Sequence, residues 1–381
     1  MNIKRLRFLA LLIAALVAFG AVGAVAQEKA KRGASMTAER FKQLDKNGDG
    51  VLTKDEFDRP KWFDRLDANK DGKVTLEEAQ AAQGKWARGK RGNRGAGSPT
   101  PTQADVKYGP HERNVLDFWQ AKSDKPTPLV VYIHGGGFVG GDKTQVPMDA
   151  VKKALDAGAS VISISYRFRK DAPIQDILRD CARAVQFMRL NAAKFNIDPK
   201  RVGCFGGSAG AGSSLWLAVH DDLADPKSED PVLRQSTRIS AAACNNGQAT
   251  YDLVEWEKII YPFKPEWKSN PTEIADFYHF KSDADFQTDA GRKILADCSM
   301  YSLLSKDDAP IWMYCSLPDG EPADRNQILH HPKHVQVIKK RADELGVKCE
   351  TVYDVGRNQN AWMLAVEFLL KNLPPETPPA S

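Results

Sequence analysis

Two stretches of this chain hold residues whose types and spacing could do acyl-transfer chemistry. In VGCFGGSAGAGSS, residues 202–214, Ser208 stands between Gly206-Gly207 and Ala209-Gly210. The apolar residues ahead of it read as a strand, and the small residues behind it lead into a helix. A serine on such a turn is exposed as a nucleophile, but it stays inert near neutral pH until a base takes its proton. The second stretch, HGGGFVGGDK at 134–143, follows the strand-like PLVVYIH. Gly135, Gly137 and Gly140 satisfy a dinucleotide-type G-x-G-x-x-G, yet SVISIS further on ends in Tyr166-Arg167, with no acidic residue for a ribose. The alternative is an oxyanion hole: the amides of Gly136 and Gly137, with that of Ala209, would face an oxygen that becomes negative as Ser208 attacks. Glycine loop and serine turn come in the order this second reading requires, so it is preferred.

A different chemistry is written into DKNGDGVLTKDE (45–56) and DANKDGKVTLEE (67–78). Asp45, Asn47 and Asp49 occupy loop positions 1, 3 and 5, Gly50 permits a sharp bend, Val51 offers its carbonyl, and Thr53 and Glu56 close the set. Asp67, Asn69, Asp71, Gly72, Lys73 (through its carbonyl), Thr75 and Glu78 repeat the plan. Ca²⁺ prefers about seven oxygens, which this spacing can turn inward. The two loops resemble paired EF-hands, with Leu52 and Val74 placed to join them through a short β contact. The resemblance implies two Ca²⁺ sites, with dissociation constants of extracellular type, about 10⁻⁴ M. No organic cofactor is expected.

HGGGF (134–138), SYR (165–167), D-x-P-x-x-D (171–176) and NIDPKRVGCFGGSAGA (196–211) together resemble the hormone-sensitive-lipase branch of the α/β-hydrolase esterases. The likeness runs over about residues 115–381 and is densest between 130 and 215. It implies a central sheet, an insertion over the pocket and hydrolysis of carboxylic esters. It also implies Ser208 as nucleophile, with Gly136, Gly137 and Ala209 as oxyanion hole.

The base is missing from its usual place. In this fold the triad runs Ser, then Asp or Glu, then His, with the histidine after the last strand. Beyond Val355 the chain reads GRNQNAWMLAVEFLLKNLPPETPPAS and contains no histidine; Gln359-Asn360-Ala361-Trp362 stands where the related turn carries one. Neither amide can shuttle a proton. His330, His331 and His334 on the preceding loop are candidate displaced bases, since triads are defined by geometry and not by chain order. His331 is taken forward as base, and Asp324 as acid in preference to Asp319. His220 and His279 are further from any such role. The rival reading is a pseudo-hydrolase that keeps the pocket for binding a ligand or a cell-surface polymer.

These groups need a scaffold, and the pattern supplies one. PLVVYIH, SVISIS (160–165), RVGCF (201–205), ISAAAC (239–244), IWMYC (311–315) and CETVYDV (349–355) are short apolar runs suited to strands buried on both faces. Helical segments such as 175–195 and 334–346 alternate with them, which predicts an α/β fold: a mostly parallel, doubly wound sheet from 105 to 381. Residues 250–305 break the alternation, are rich in aromatics and predict a helical cap insertion. Ahead of this domain lie a small α-helical EF-hand pair (27–80) and a Gly/Pro/Lys/Arg-rich linker (81–104). The linker's basic character is the feature that would reach an anionic cell-surface polymer.

Residues 1–26 combine Lys4, Arg5 and Arg7, an apolar core and Ala24-Val25-Ala26, the pattern of a secretory signal peptide, so an exported protein is expected. Six cysteines would then meet an oxidising compartment. Most lie in strand-like apolar runs and read as core thiols, with at most one bridge. A net charge of +5 spread along the chain gives no reason to expect nucleic acid. The expected substrate is a small-molecule ester, either a short acyl ester or an acylated carbohydrate.

Overall fold

The computed structural model describes residues 98–259, 264–267, 271–354, 358 and 360–374, with residues 41, 44–56, 63, 66–67, 69–76 and 78–79 of the N-terminal part. The signal-peptide segment and residues 81–97 of the linker lie outside the described residues. The chain divides into two units, 1–94 and 95–381.

In the first unit the two acidic loops meet through β1 (Val51–Leu52) and β2 (Val74–Thr75), paired antiparallel with Leu52 opposite Val74. Both of those side chains are fully buried, in a small core with Phe41, Phe63, Leu66 and Ala79. The apolar residue at position 8 of each loop thus fixes the pairing, as the sequence predicts.

The second unit is built on an eight-stranded sheet. Its strands are β3 (Gln103–Lys107), β4 (Val115–Trp119), β5 (Thr127–Ile133), β6 (Ser160–Ile164), β7 (Ile197–Gly207), β8 (Ala241–Asn245), β9 (Ile311–Tyr314) and β10 (Cys349–Val352). The spatial order is β10-β9-β8-β7-β5-β6-β4-β3, and β4 alone runs against its neighbours. All six predicted strands are present. Sequence reading missed β3 and β4: β3 is a polar edge strand with a register shift and a left-handed Asp105 (φ 56°), and its first residues fall in the predicted linker.

Eight helices bear on the site: α1 (Met148–Asp156), α2 (Ile174–Leu190), α3 (Ala209–Val219), α4 (Pro271–Tyr278), α5 (Asp289–Cys298), α6 (Arg325–Leu329), α7 (Pro332–Leu345) and α8 (Ala361–Asn372). Successive strand residues point to opposite faces. Val131, Cys204, Ala242 and Met313 join α2, α3 and α7 on one face; Tyr132, Phe205, Ala243 and Trp312 join α1 and α8 on the other. Burial on both faces explains why these strands read as unbroken apolar runs. The predicted insertion holds α4 and α5, and its aromatics Tyr251, Phe277 and Tyr278 pack into the first face's core.

All six cysteines are buried free thiols among the described residues, as expected for core positions. One ion pair is also interior. Lys143 is 2% exposed, with Nζ 2.6 Å from Oδ1 of Asp117 (1% exposed) and 2.9 Å from Oδ1 of the more exposed Asp105. It ties the chain leaving the glycine loop to β4. Removing one partner of a buried pair strands the other charge, so Asp117→Ala should cost about 3–5 kcal/mol of unfolding free energy in urea titrations. Asp117→Leu combined with Lys143→Met should recover most of that loss.

Candidate active site

The sheet order reverses between β5 and β7, whose carboxyl ends lie side by side with Ile133 opposite Gly206. Such a reversal opens a crevice above the strand ends. Both motif loops leave from it. Ser208 follows β7 at φ 52°, ψ −120°, a backbone conformation that L-residues rarely adopt, and Ala209 begins α3. The turn is held by Ser208 N–H donating to the Asn245 carbonyl (2.9 Å) and by Gly212 N–H donating to the Ser208 carbonyl (3.0 Å). It also needs close approach: a Cβ on Gly135 would lie 2.6 Å from the Gly207 carbonyl oxygen, and one on Gly210 would collide with the Ile133 carbonyl. The small residues around Ser208 are therefore a steric requirement of the turn.

The glycine loop after β5 has Gly136 at φ 115° and Gly137 at φ 59°, with the amides of Val139 and Gly140 folded back onto the Gly136 carbonyl. His134 anchors its start. Its ring stacks on Tyr166 (centroids 4.1 Å apart), Nδ1–H donates to the Gly135 carbonyl (2.7 Å), and the Tyr166 hydroxyl donates to the His134 carbonyl (2.6 Å). Burial lowers the His134 pKa to about 4, so the ring is neutral. Arg113, lying over the Phe168 ring, donates to the carbonyls of Gly141 (3.0 Å) and Tyr166 (2.7 Å) and anchors the loop's far end. The Ala209 amide, at the first position of a helix, has no acceptor within that helix.

His330 is the histidine that meets Ser208: its Nε2 lies 2.8 Å from Ser208 Oγ, in a partly buried contact. His331 does not take that position. It is the N-cap of α7, with Nδ1 accepting from Lys333 N–H (3.1 Å) and Nε2–H donating to the Gly320 carbonyl (2.7 Å). Asp324 is likewise a cap. It is exposed at the start of α6, where its carboxylate accepts from Gln327 N–H (2.9 Å) while Gln327 Oε1 accepts from Ala323 N–H (2.8 Å). Asp319, the other carboxylate considered, accepts from Gln336 Nε2 (2.6 Å). Two sequence signals identify these caps: Pro332 at the helix start makes His331 the residue before it, and Asp-x-x-Gln at 324–327 is a capping pattern.

His334 is fully buried, and desolvation lowers its pKa to about 3. His220 pairs with Asp297 (2.8 Å), and His279 donates to the Arg169 carbonyl (2.7 Å). Of the C-terminal turn that lacks a histidine, Gln359 lies outside the described residues, and Asn360 precedes α8 without a side-chain cap bond. Trp362 packs beneath the serine turn, against Tyr132 and Phe205 and so close to Gly207 that a Cβ there would lie 2.9 Å from the indole.

Residues 116–275 match the BD-FAE family model. A solved truncated carbohydrate esterase from gut microbiota superposes with a TM-score of 0.57, at 19% identity over 72% of this chain and 97% of that one. The fold is that of an α/β-hydrolase. Esterase LipQ of Mycobacterium tuberculosis is 28% identical over 167 residues, 42% of this chain and 39% of that protein. A probable isoprenylcysteine alpha-carbonyl methylesterase of Arabidopsis thaliana is 28% identical over 151 residues, covering 39% and 36%. The chain thus spans less than two-fifths of the length of these curated relatives. The EF hand model matches residues 38–59 and 61–80, so an esterase-type α/β-hydrolase domain follows an EF-hand segment.

The two EF-hand loops offer only oxygen donors. Asp45 accepts from the amides of Gly48 (2.7 Å) and Gly50 (2.9 Å), and Asp67 accepts from that of Gly72 (2.9 Å). Gly50 and Gly72 both bend the chain at φ 82°. Glu56 accepts from Thr53 N–H (3.0 Å), Thr53 Oγ1–H (2.9 Å) and Lys46 N–H (3.0 Å), which closes the ends of the first loop on each other. The Thr53 amide, with the other donors, holds the Glu56 carboxyl below the usual carboxylate range. Glu78 repeats the contact with Thr75 (3.0 Å). Among the described residues no three His, Cys, Asp or Glu side chains form a closed metal cluster. The donors are the mixed carboxylate, amide, hydroxyl and carbonyl oxygens that suit Ca²⁺, already curled by loop amides.

Calorimetric titration of the full chain should therefore show uptake of two Ca²⁺ with dissociation constants of about 10⁻⁴ M. Glu56→Gln and Glu78→Gln should each weaken one site by about tenfold or more, because each removes a bidentate ligand. A flat titration at millimolar Ca²⁺ would contradict both expectations.

Proposed function

We propose that this protein is an exported serine carboxylic-ester hydrolase in which Ser208 is the nucleophile and His330 the general base. The observation that carries the reading is the 2.8 Å contact between Ser208 Oγ and His330 Nε2, at the point where the glycine loop and the serine turn converge. A binding-only pseudo-hydrolase has no need of an imidazole at hydrogen-bond distance from the serine of an elbow.

In this mechanism Nε2 enters as an acceptor, with the ring hydrogen on Nδ1. Ser208 Oγ attacks the ester carbonyl carbon while its proton moves to Nε2. The amides of Gly136, Gly137 and Ala209 hold the oxyanion that forms. Collapse of the tetrahedral intermediate expels the alcohol, which takes the proton from Nε2 and leaves an acyl group on Ser208. Water then attacks the acyl carbon, His330 again takes and returns a proton, and the carboxylic acid departs.

The relatives' names, esterase and methylesterase, support the ester class. For the acyl and alcohol parts we favour short acyl esters or acylated carbohydrates, because the aromatic insertion offers flat apolar surfaces that suit either. The signal-peptide pattern of residues 1–26 supports export, where millimolar Ca²⁺ would fill the loops.

The test is hydrolysis of p-nitrophenyl acetate and butyrate. Ser208→Ala and His330→Ala should each lower kcat by about 10³–10⁴-fold, as for removal of a nucleophile or its base. His331→Ala, which removes a helix cap, should keep kcat within about threefold. Wild-type protein no faster than Ser208→Ala on both esters, and on acetylated xylo-oligosaccharides, would end the enzyme reading.

A further inference from the structure

His330 leaves the last turn of α6, a helix of one and a half turns that could hardly fix a side chain unaided. The carbonyls at a helix C-terminus have no partners within the helix. Here three successive carbonyls are met by side chains from three different elements. The Ile328 carbonyl, which also accepts from the His331 amide (3.3 Å), accepts from His334 Nε2 (3.1 Å), the Leu329 carbonyl from Gln248 Nε2 (2.7 Å), and the His330 carbonyl from the Cys315 thiol (3.1 Å). Gln248 lies just past β8, Cys315 at the end of β9, and His334 in the first turn of α7. Each is at most 6% exposed.

The direction of the His334 bond is chemically determined. Its Nδ1 accepts from the Ala249 amide (3.2 Å), and an amide can only donate, so the ring hydrogen sits on Nε2. Desolvation keeps that ring neutral and in this single tautomer. The apolar side of the segment is pinned as well: Ile328 is fully buried against Trp256 and Trp267, both from the insertion. Arg325 pairs with Glu273 of α4 at 2.7 Å, and Lys264 pairs with Glu321. In this region the insertion's contacts converge on the segment that carries His330.

We propose that Gln248, Cys315 and His334 are positioning residues that clamp the peptide planes around His330 and so present its imidazole to Ser208. This rests on His330 being the base. The clamp acts on the main chain and not on the ring: its three groups donate to carbonyls and not to Ser208. It follows that the base is placed by the loop after β8, the end of β9 and the insertion, rather than by the turn after the last strand. Small displacements of a base are costly because proton transfer needs the reacting atoms near 3 Å.

The experiment compares Gln248→Met, Cys315→Ala and Cys315→Ser in the full chain with wild type and His330→Ala. Rates on p-nitrophenyl butyrate are expressed per mole of folded protein, with folding checked by circular dichroism. Gln248→Met keeps length but loses the donor, and should lower kcat about tenfold with KM within about twofold. Cys315→Ala should do the same, while Cys315→Ser, which keeps an O–H donor, should stay within about threefold of wild type. Wild-type kcat in Gln248→Met and Cys315→Ala, beside an inactive His330→Ala, overturns the clamp and leaves the base assignment standing. If Cys315→Ser falls as far as Cys315→Ala, the contact is packing alone, and the clamp is likewise overturned. An unimpaired His330→Ala removes the base assignment and the clamp with it.

Discussion

The backbone of Ser208 lies at positive φ in a conformation that a side-chain-bearing residue holds only under compulsion, at a cost of about 1–3 kcal/mol. Much of the α/β unit can be understood as what supplies that compulsion. The amide of Ser208 is tied to β8 and its carbonyl to the first turn of α3. The crossing of α3 over β5 needs Gly210, and the approach of the glycine loop needs Gly135. Because β5 and β7 are neighbours at the reversal of strand order, the loop that would bind negative charge and the residue that would generate it meet with no long connection. The buried centre of the sheet gives the rigidity, and the strained turn uses it to project one hydroxyl.

The partner for that hydroxyl comes from an unexpected direction. A histidine after the last strand would approach from the side of the sheet on which α8 lies, and there Trp362 fills the space beneath Gly207. His330 comes instead from between β9 and α7. The segment that carries it is met by side-chain donors to main-chain carbonyls and by contacts with the insertion, so in this chain the insertion does more than pack on the first face's core. Positive φ at the serine and tethered carbonyls at the histidine serve one end: two short segments are held where neither would rest alone.

Five of the eight strands were legible because parallel strands buried on both faces are unbroken apolar runs, and the edge strand β10 was legible from its β-branched Thr351 and Val352. The edge strand β3 was not, since an exposed polar strand with a bulge has the composition of a linker. Ser208 and the glycine loop were legible for a local reason, as close backbone approach demands glycine at fixed offsets. The paired acidic loops were equally plain, down to Leu52 opposite Val74. The histidine that meets Ser208 was legible only as a cluster of three histidines, and the distinction among them is tertiary. Cap chemistry could have set His331 and Asp324 aside, because Pro332 and the Asp324–Gln327 spacing are local signals. Nothing local marks Gln248 or Cys315. Their contacts with the carbonyls of Leu329 and His330 exist only because β8, β9 and α6 end at the same place.

The six thiols bear on how such a molecule tolerates its surroundings. Each lies within the hydrophobic interior, and burial raises the thiol pKa at every one, to about 11 at Cys315 and about 12 at Cys204 and Cys349. Exchange reactions run through thiolates that can be reached, and here neither condition holds in the folded state. The α/β unit is therefore indifferent to redox environment once folded: it needs no bridge to persist outside a cell and loses none inside one. Exposure of the thiols would come only with unfolding, so alkylation by a small maleimide reports directly on how often this interior opens.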